Sequence, residues 1–340
     1  MFRTIALAVA FLSLCFGQAS YQFVSLTGND IHRFATASML SQNGAAICRL
    51  NANGQAAVVS QQLGTVMPAF AESINGINAA GDIVGATHEG KAFVSQPPYD
   101  AYLDLSGVFP SPFGFGTALA INDRGDILGT PFENTTWFPG LDISVLQTIN
   151  NAGQVVAAVS VPPGYQYFLF TPGHGDTVLP APPEALNNNG DMLFGESGAQ
   201  YIQTASAQIP LPSAYNWTGI NDRDEAVGFS SSTTPFNVTT ITPVYYSTAT
   251  GLIDLSTRFE NTHALVSTTP VAINNSGQIL VNYAWMPFPG LPIAPSAGIG
   301  LLVPAVSPSS GHAALRKSAP AASRARVYTV NGVRIPSRPR

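Results

Sequence analysis

One ten-residue pattern recurs seven times along the chain. It runs small residue, Ile or Leu, Asn, two turn residues, Gly, a polar residue and then apolar residues. The copies are MLSQNGAAIC (39–48), GINAAGDIVG (76–85), AINDRGDILG (120–129), TINNAGQVVA (148–157), ALNNNGDMLF (185–194), GINDRDEAVG (219–228) and AINNSGQILV (272–281). The Asn column is Asn78, Asn122, Asn150, Asn187, Asn221 and Asn274, with Ser41 in the first copy, at spacings of 37, 44, 28, 37, 34 and 53 residues. A local design repeated in this way restricts the chain to repeat architectures, because one unit cannot bury its own apolar face and must stack on the next.

The residue types carry a mechanism. Asn opens a type I turn by capping the backbone two residues on, and Gly three residues later supplies a positive φ, closing a hairpin. The Gly column is Gly44, Gly81, Gly125, Gly153, Gly190 and Gly277. Asp224 replaces Gly in the sixth copy, and Asp is among the few side chains that tolerate positive φ. The second strand of the hairpin is an unbroken apolar run (Ile83-Val84, Ile127-Leu128, Ile279-Leu280), as a strand packed on both faces requires.

A second pair of strands follows each hairpin. Clear cases are KAFVSQPPYDAYLDLSG (91–107), YFLFTPGHGDTVLP (167–180) and VYYSTATGLIDLST (244–257). QAAVVSQQLGTVM (55–67), TTWFPGLDISVL (135–146) and QYIQTASAQIPL (200–211) fill the same slot. Four short strands in about 39 residues is the length of one β-propeller blade. The expectation is an all-β propeller of seven four-stranded blades; an open β-solenoid or a pair of β-sandwiches is the alternative. The last copy has SAGIGLLVP (296–304) but no fourth strand, and YQFVSLTG (21–28) reads as a spare one. Pairing of 21–27 with 297–303 would close the ring and remove exposed sheet edges. The first strand of each hairpin would then be innermost. The small residues Gly76, Ala120, Thr148, Ala185, Gly219 and Ala272, with Met39 the exception, suit crowding around a channel.

Composition narrows the class further. Charged residues are 10% of the chain, against about 25% in an average domain. With 31 Gly and 27 Pro, this argues against helical bundles and coiled coils, and 45% hydrophobic residues argue against general disorder. Residues 1–19 read as a secretory signal peptide, with Arg3, an apolar run from Ile5 to Phe16, and Gly17 and Ala19 at the −3 and −1 positions of a cleavage site. That run is short for a membrane span, and no other segment approaches 18 uninterrupted apolar residues, so no transmembrane segment is expected in the mature chain. Removing the leader removes Cys15 and leaves Cys48 without a partner, which reads as a buried apolar strand residue. The expected division is therefore a leader (1–19), a propeller (20–304) and a basic tail rich in Ala, Ser and Pro (305–340). Six basic and all 19 acidic residues lie in 20–304, a balance that excludes nucleic acid as a partner. The tail holds seven basic residues and no acid, and reads as a flexible extension.

The I-N-x-x-G-x-[IV]-[VL]-G hairpin followed by an aromatic strand resembles the HAF-type extracellular repeat family of bacterial secreted proteins, over roughly residues 21–304. The family's His-Ala-Phe strand stands here as Lys91-Ala92-Phe93, and the other copies lack it. The resemblance implies a secreted, extracellular or cell-surface, propeller-like bacterial protein. It implies no established activity. The segment RVYTVNGVRI (326–335) alternates like a strand and weakly resembles the end of bacterial C-terminal sorting domains.

The chemistry-bearing groups are sparse. The long connections 107–117, 229–243, 257–269 and 282–296 fall on one face of the expected ring, and two carry aromatic residues: Phe109, Phe113 and Phe115, then Tyr283, Trp285 and Phe288. Aromatic loops on a rigid scaffold suit sugar rings or protein surfaces, so these six are the candidate ligand-binding residues; capping of the ring end is the competing account. Asp82, Asp126, Asp191 and Glu225 recur just after the turn, with Gln154 and Gln278 in the same column, and read as solvated strand ends rather than a glycoside-cleaving pair. NDRGD (122–126) puts Arg124 in a ligand slot, so it is no calcium loop. The five His are scattered without metal-ligand spacing, and neither a nucleophile elbow nor a phosphate loop occurs. No catalytic residue, metal or cofactor is assigned. The expectation is a secreted binding or scaffolding module for extracellular carbohydrate or protein. A propeller-fold hydrolase or lyase acting on extracellular glycans, and a structural cell-envelope protein, are the alternatives.

Overall fold

The computed structural model describes residues 20–27, 34–50, 54–107, 116–130, 143–196, 199–233, 239–259, 265–285, 296–305, 327–330 and 333–336. The fold is an all-β propeller. The one helical element among the described residues is a single 3-10 turn, Leu255–Thr257.

The chain opens with β1 (Tyr21–Ser25), then builds its first sheet from β2 (Phe34–Leu40), β3 (Ala46–Leu50), β4 (Ala56–Ser60) and β5 (Gly64–Val66). The second sheet is β6 (Ala71–Ile77), β7 (Ile83–Thr87), β8 (Ala92–Ser95) and β9 (Leu103–Asp104). Among the described residues the third repeat supplies β10 (Thr117–Ile121) and β11 (Asp126–Thr130). The fourth is β12 (Ile143–Ile149), β13 (Val155–Val161), β14 (Gly164–Thr171) and β15 (Gly175–Leu179). The fifth is β16 (Ala185–Leu186), β17 (Met192–Glu196), β18 (Ala199–Gln203) and β19 (Gln208–Leu211), and the sixth β20 (Asn216–Ile220), β21 (Ala226–Thr233), β22 (Thr239–Ser247) and β23 (Gly251–Asp254). The last repeat gives β24 (Leu265–Ile273), β25 (Ile279–Trp285) and β26 (Ser296–Pro304), and β1 adds to β26 as fourth strand, from Tyr21 opposite Pro304 to Ser25 opposite Gly300.

Six sheets are thus four-stranded and antiparallel. The third is not equivalent to them, which corrects the expectation of seven like blades. The strands beside β11 are β27 (Val327–Val330) and β28 (Val333–Pro336), and β27 runs parallel to β11. Residues 327–330 and 333–336 are therefore strand, as the alternation of that segment predicts, inside a tail expected to be a flexible extension. The segment 135–146, read as an outer pair, is also corrected: Ile143–Leu146 belong to β12, and 135–142 lie outside the described residues. The reason is length. The turns of repeats three and four are only 28 residues apart, the shortest spacing in the chain.

The turn design is realised. Gly44, Gly81, Gly125, Gly153, Gly190 and Gly277 all have φ between 75° and 89°, and Asp224 adopts φ 57° in their place. Six of the seven inner hairpins also carry a register shift immediately before the small residue, at Ala37/Met39, Ile74/Gly76, Ala118/Ala120, Leu146/Thr148, Trp217/Gly219 and Pro270/Ala272. Such bulges bend and twist the inner strand where neighbours converge. Crowding there is tight: a Cβ on Gly76 would lie 3.0 Å from the Ile121 nitrogen and 3.1 Å from the Ala120 Cα.

The core lies between the sheets, one cluster for each pair of neighbours. Val84, Ile127 and Leu105 fill one and Leu193, Trp217 and Val244 another. Among the second strands, Ile83–Thr87 is buried throughout, and β13, β21 and β25 are buried over their first three residues. Cys48 is buried in β3 as expected. The long connections at 229–243 and 282–296 prove to be partly strand: β21 and β22 extend to Thr233 and from Thr239, and β25 runs to Trp285.

Candidate functional site

The inner turns build a hydrogen-bonded collar. Asn78 Oδ1 accepts the backbone N–H of Ala80 (3.0 Å) and Asp82 (2.9 Å). Its Nδ2 donates to the Asp82 carboxylate (3.1 Å) and to the carbonyl oxygen of Asn122 in the next repeat (3.4 Å). Asn122 reaches the Asn150 carbonyl (2.9 Å), Asn150 that of Asn187 (2.9 Å), Asn187 that of Asn221 (3.0 Å), Asn221 that of Asn274 (3.1 Å) and Asn274 that of Ser41 (3.2 Å). Each Asn is at most 4% exposed. Asn can do this where Asp or Ser cannot, because its amide offers two donors and an acceptor at once.

This overturns the reading of the carboxylate column as solvated strand ends. Asp82 and Asp191 are 1% and 6% exposed. Asp126, Gln154, Glu225 and Gln278 likewise accept from the Asn four residues earlier, at 2.8, 2.7, 2.6 and 2.7 Å. A buried carboxylate needs such a donor to offset its desolvation. The column fixes turns.

A second collar lies one residue on, and the sequence reading missed it. The backbone N–H of each residue donates to the side chain of its counterpart in the next repeat: Ala79 to Asp123, Asp123 to Asn151, Asn151 to Asn188, Asn188 to Asp222, Asp222 to Asn275 and Asn275 to Gln42. Asn188 and Asn275 each also donate an amide proton to Asp222 Oδ2. The signal was present: every position after the Asn column is polar except Ala79.

Residues of these collars and of the inner strands of all seven repeats line one cavity of about 400 Å³. Its wall includes Gln42, Asp123, Gln147, Asn188, Thr218 and Asn275. Its wall thus carries amides, hydroxyls and the carboxylates of Asp123, Glu184 and Asp222, whereas Ile77, Ile149 and Ile273, which also border it, are buried in the cores between sheets.

The collar's electrostatics centre on the sixth repeat. Asp224 occupies the Gly position and meets Asn187 and Asp191 of the fifth repeat; burial, then the Asp191 carboxylate, push its pKa up to about 6. Burial works to raise Glu225, but hydrogen bonds from Arg223, Asn221 and Tyr245 outweigh it and hold the carboxyl below the usual range. Tyr21 is pushed up to about 12, chiefly by burial and then by Glu225. Arg124 is 2.7 Å from Asp126, so the Arg-Gly-Asp tripeptide is tied within its own turn.

Of the six aromatic candidates, Tyr283 and Trp285 are among the described residues. Phe109, Phe113, Phe115 and Phe288 lie outside the described residues. Tyr283 is buried, its ring edge-on to Phe23 at 5.1 Å and its hydroxyl 2.9 Å from the Ser25 hydroxyl. Trp285 is half-buried and packs on the same cluster. Among the described residues no group of three or more His, Cys, Asp and Glu is placed to hold a metal ion, and no helix is long and apolar enough to cross a membrane.

No family model matches the chain. No curated protein matches it either. Solved structures similar to it include a streptogramin B lyase (11% identity, TM-score 0.36, covering 84% of this chain and 98% of that one). Others are the virginiamycin B lyase of Staphylococcus aureus (12%, TM-score 0.29, 78% and 82%) and the β-propeller domain of the Trilobed protease of Pyrococcus furiosus (8%, TM-score 0.32, 74% and 78%).

Proposed function

We propose that the protein is a secreted bacterial binding module of the HAF-repeat kind, a seven-repeat ring closed by β1, that takes extracellular carbohydrate in its central cavity. The observation that carries this reading is the cavity itself: about 400 Å³, contributed to by every repeat, with amides, hydroxyls and carboxylates on its wall. That volume falls within the range of small-molecule sites. Amide and carboxylate planes on a rigid frame suit a neutral polyhydroxylated ligand, which offers many donors and acceptors and apolar ring faces. Of the acids on the cavity wall, Asp123 and Asp222 accept Asn amide protons, from Asn151 and from Asn188 and Asn275, which favours binding over turnover, and Glu184 stands on the same wall. Closure by β1 is supported by its five-residue register with β26 and by the Asn274–Ser41 link.

The test is a glycan array followed by calorimetry on the parent chain, Gln147→Trp and Trp285→Ala. Gln147 is exposed on the cavity wall, so a Trp there obstructs the lumen. Loss of binding in Gln147→Trp alone supports the cavity. Loss in Trp285→Ala alone transfers the site to the long-connection face, and a parent that binds no glycan removes carbohydrate as the ligand.

A further inference from the structure

The third repeat cannot finish its own sheet from its own length of chain. Between β11 and β12 lie 12 residues, 131–142. In the other repeats the stretch from the inner hairpin to the next inner strand runs from 19 residues (197–215) to 31 (234–264). Each of those stretches holds most or all of two further strands with their connections. Twelve residues fall well short of the smallest. The edge of β11, like that of β26 with β1, is therefore completed by a strand from elsewhere in the chain: Asp126 lies opposite Thr329 and Ile127 opposite Val330.

The hold is short. The corresponding ladder in the other sheets spans four to eight residue pairs and is antiparallel, whereas β11 and β27 share two and run parallel. The surface beside it is also unfinished. Phe168 and Phe170 pack against Leu128 of the third repeat. Val178 lies opposite Phe168 in the ladder, and Val161 shares that face with Val155 and Ala157, since strand side chains alternate and directly paired residues point the same way. Val178 and Val161 are nevertheless 60% and 51% exposed. The apolar face of the fourth sheet extends past the point where the third repeat's strands cover it.

We propose that the edge of β11 is a strand-docking site for an extended peptide, and that its occupant is this chain's own C-terminal hairpin, 327–336, held reversibly. Main-chain hydrogen bonds give such a site its affinity and alternate side chains its selectivity. The donor segment fits on sequence grounds, because RVYTVNGVRI alternates and carries the Asn-Gly pair favoured in two-residue hairpin turns. The hairpin would protect an edge that otherwise invites pairing between copies. Tethering through 306–326 makes docking intramolecular, so a two-pair ladder suffices at high effective concentration.

Hydrogen exchange on the intact chain and on a chain ending at Ala305 tests this. The amide of Ile127, in the ladder with β27, should exchange about tenfold or more faster after truncation, while those of β7 and β13 stay unchanged. A synthetic peptide spanning Arg324–Arg338 should restore the protection, and a scrambled one should not. Should the shortened chain fail to fold, Thr329→Pro with Val330→Pro in the full-length protein must produce the same local loss, since Pro cannot donate to a ladder. Unchanged protection in these variants, or a peptide that restores nothing, overturns the proposal. So does a concentration-dependent dimer of the full chain that disappears on truncation, because it would assign the hairpin to a neighbouring copy.

Discussion

Asn274 Nδ2 donates a hydrogen bond to the Ser41 carbonyl oxygen at 3.2 Å, joining the last repeat to the first across 233 residues. The same amide holds Gln278 Oε1 at 2.7 Å, and its oxygen takes the N–H groups of Ser276 and Gln278. One buried side chain therefore serves its own turn and the neighbouring repeat.

Asn274→Ala leaves these partners without it in a site that is 1% exposed. Each buried polar group left unpaired costs about 1–3 kcal/mol, so the variant should lose about 3 kcal/mol or more in urea unfolding. Asn274→Asp separates the two roles. It keeps the turn acceptor and gives up the donors to Ser41 and Gln278, so a smaller loss than in Asn274→Ala assigns the difference to the turn acceptor. Equal losses would place the whole effect in the two donated bonds.

Gly76 and Gly107 should respond oppositely to Ala. A Cβ at Gly76 would meet the Ile121 nitrogen and Val84 Cγ2 at 3.0 Å, whereas nothing lies within 4 Å of one at Gly107. Overpacking of this kind costs about 1–3 kcal/mol, and an exposed change stays within about 0.5 kcal/mol. Thermal unfolding of the two variants side by side measures the difference. Equal melting temperatures would refute inner-strand crowding.

Asp224 gives a pH signature. Its folded pKa, about 6, lies above the unfolded value, so the folded chain binds that proton more tightly. The contribution is full below about pH 4 and lost as pH rises through about 6. Asn tolerates positive φ as Asp does. Asp224→Asn should therefore match the parent near pH 4 and exceed it in stability near pH 7.5. A gap that is the same at both pH values would remove the Asp191–Asp224 contact as its cause.

Tyr283 and Trp285 should act through the core. Tyr283→Phe removes the bond to Ser25 and should cost about 1 kcal/mol. Trp285→Ala removes packing from the cluster of Phe23 and Tyr283 and should destabilise further. Urea titrations of both, set beside the glycan measurements, separate folding from recognition.

Burial also pushes the Cys48 thiol up to about 12. The thiolate is the reactive form. Native protein should resist maleimide labelling that unfolded protein accepts at once, as mass spectrometry would show. Fast native labelling would contradict the placement of Cys48 in the interior of β3.

The amino-acid sequence by itself determined the local design. Asn78 and Gly81 prescribe a turn wherever they stand, because side-chain capping and positive φ are properties of a few adjacent residues. Gly76 and its counterparts marked the crowded inner strands for a similar reason, and the spare strand at 21–25 was visible as an apolar alternation. What lay across repeats was decided only in three dimensions. Asp82 looked like an exposed acid, although its partner Asn78 stands four residues earlier, because its 1% exposure comes from the packed fold and not from the turn alone. Tyr283 looked like a binding residue because only the position of Phe23, 260 residues earlier, shows it enclosed. The collar of Asp123, Asn151 and Asn188, and the distant hairpin seated on β11, are relations between segments far apart in the chain. Local chemistry fixes turns and strands, whereas which edges meet depends on the length of chain left to close them.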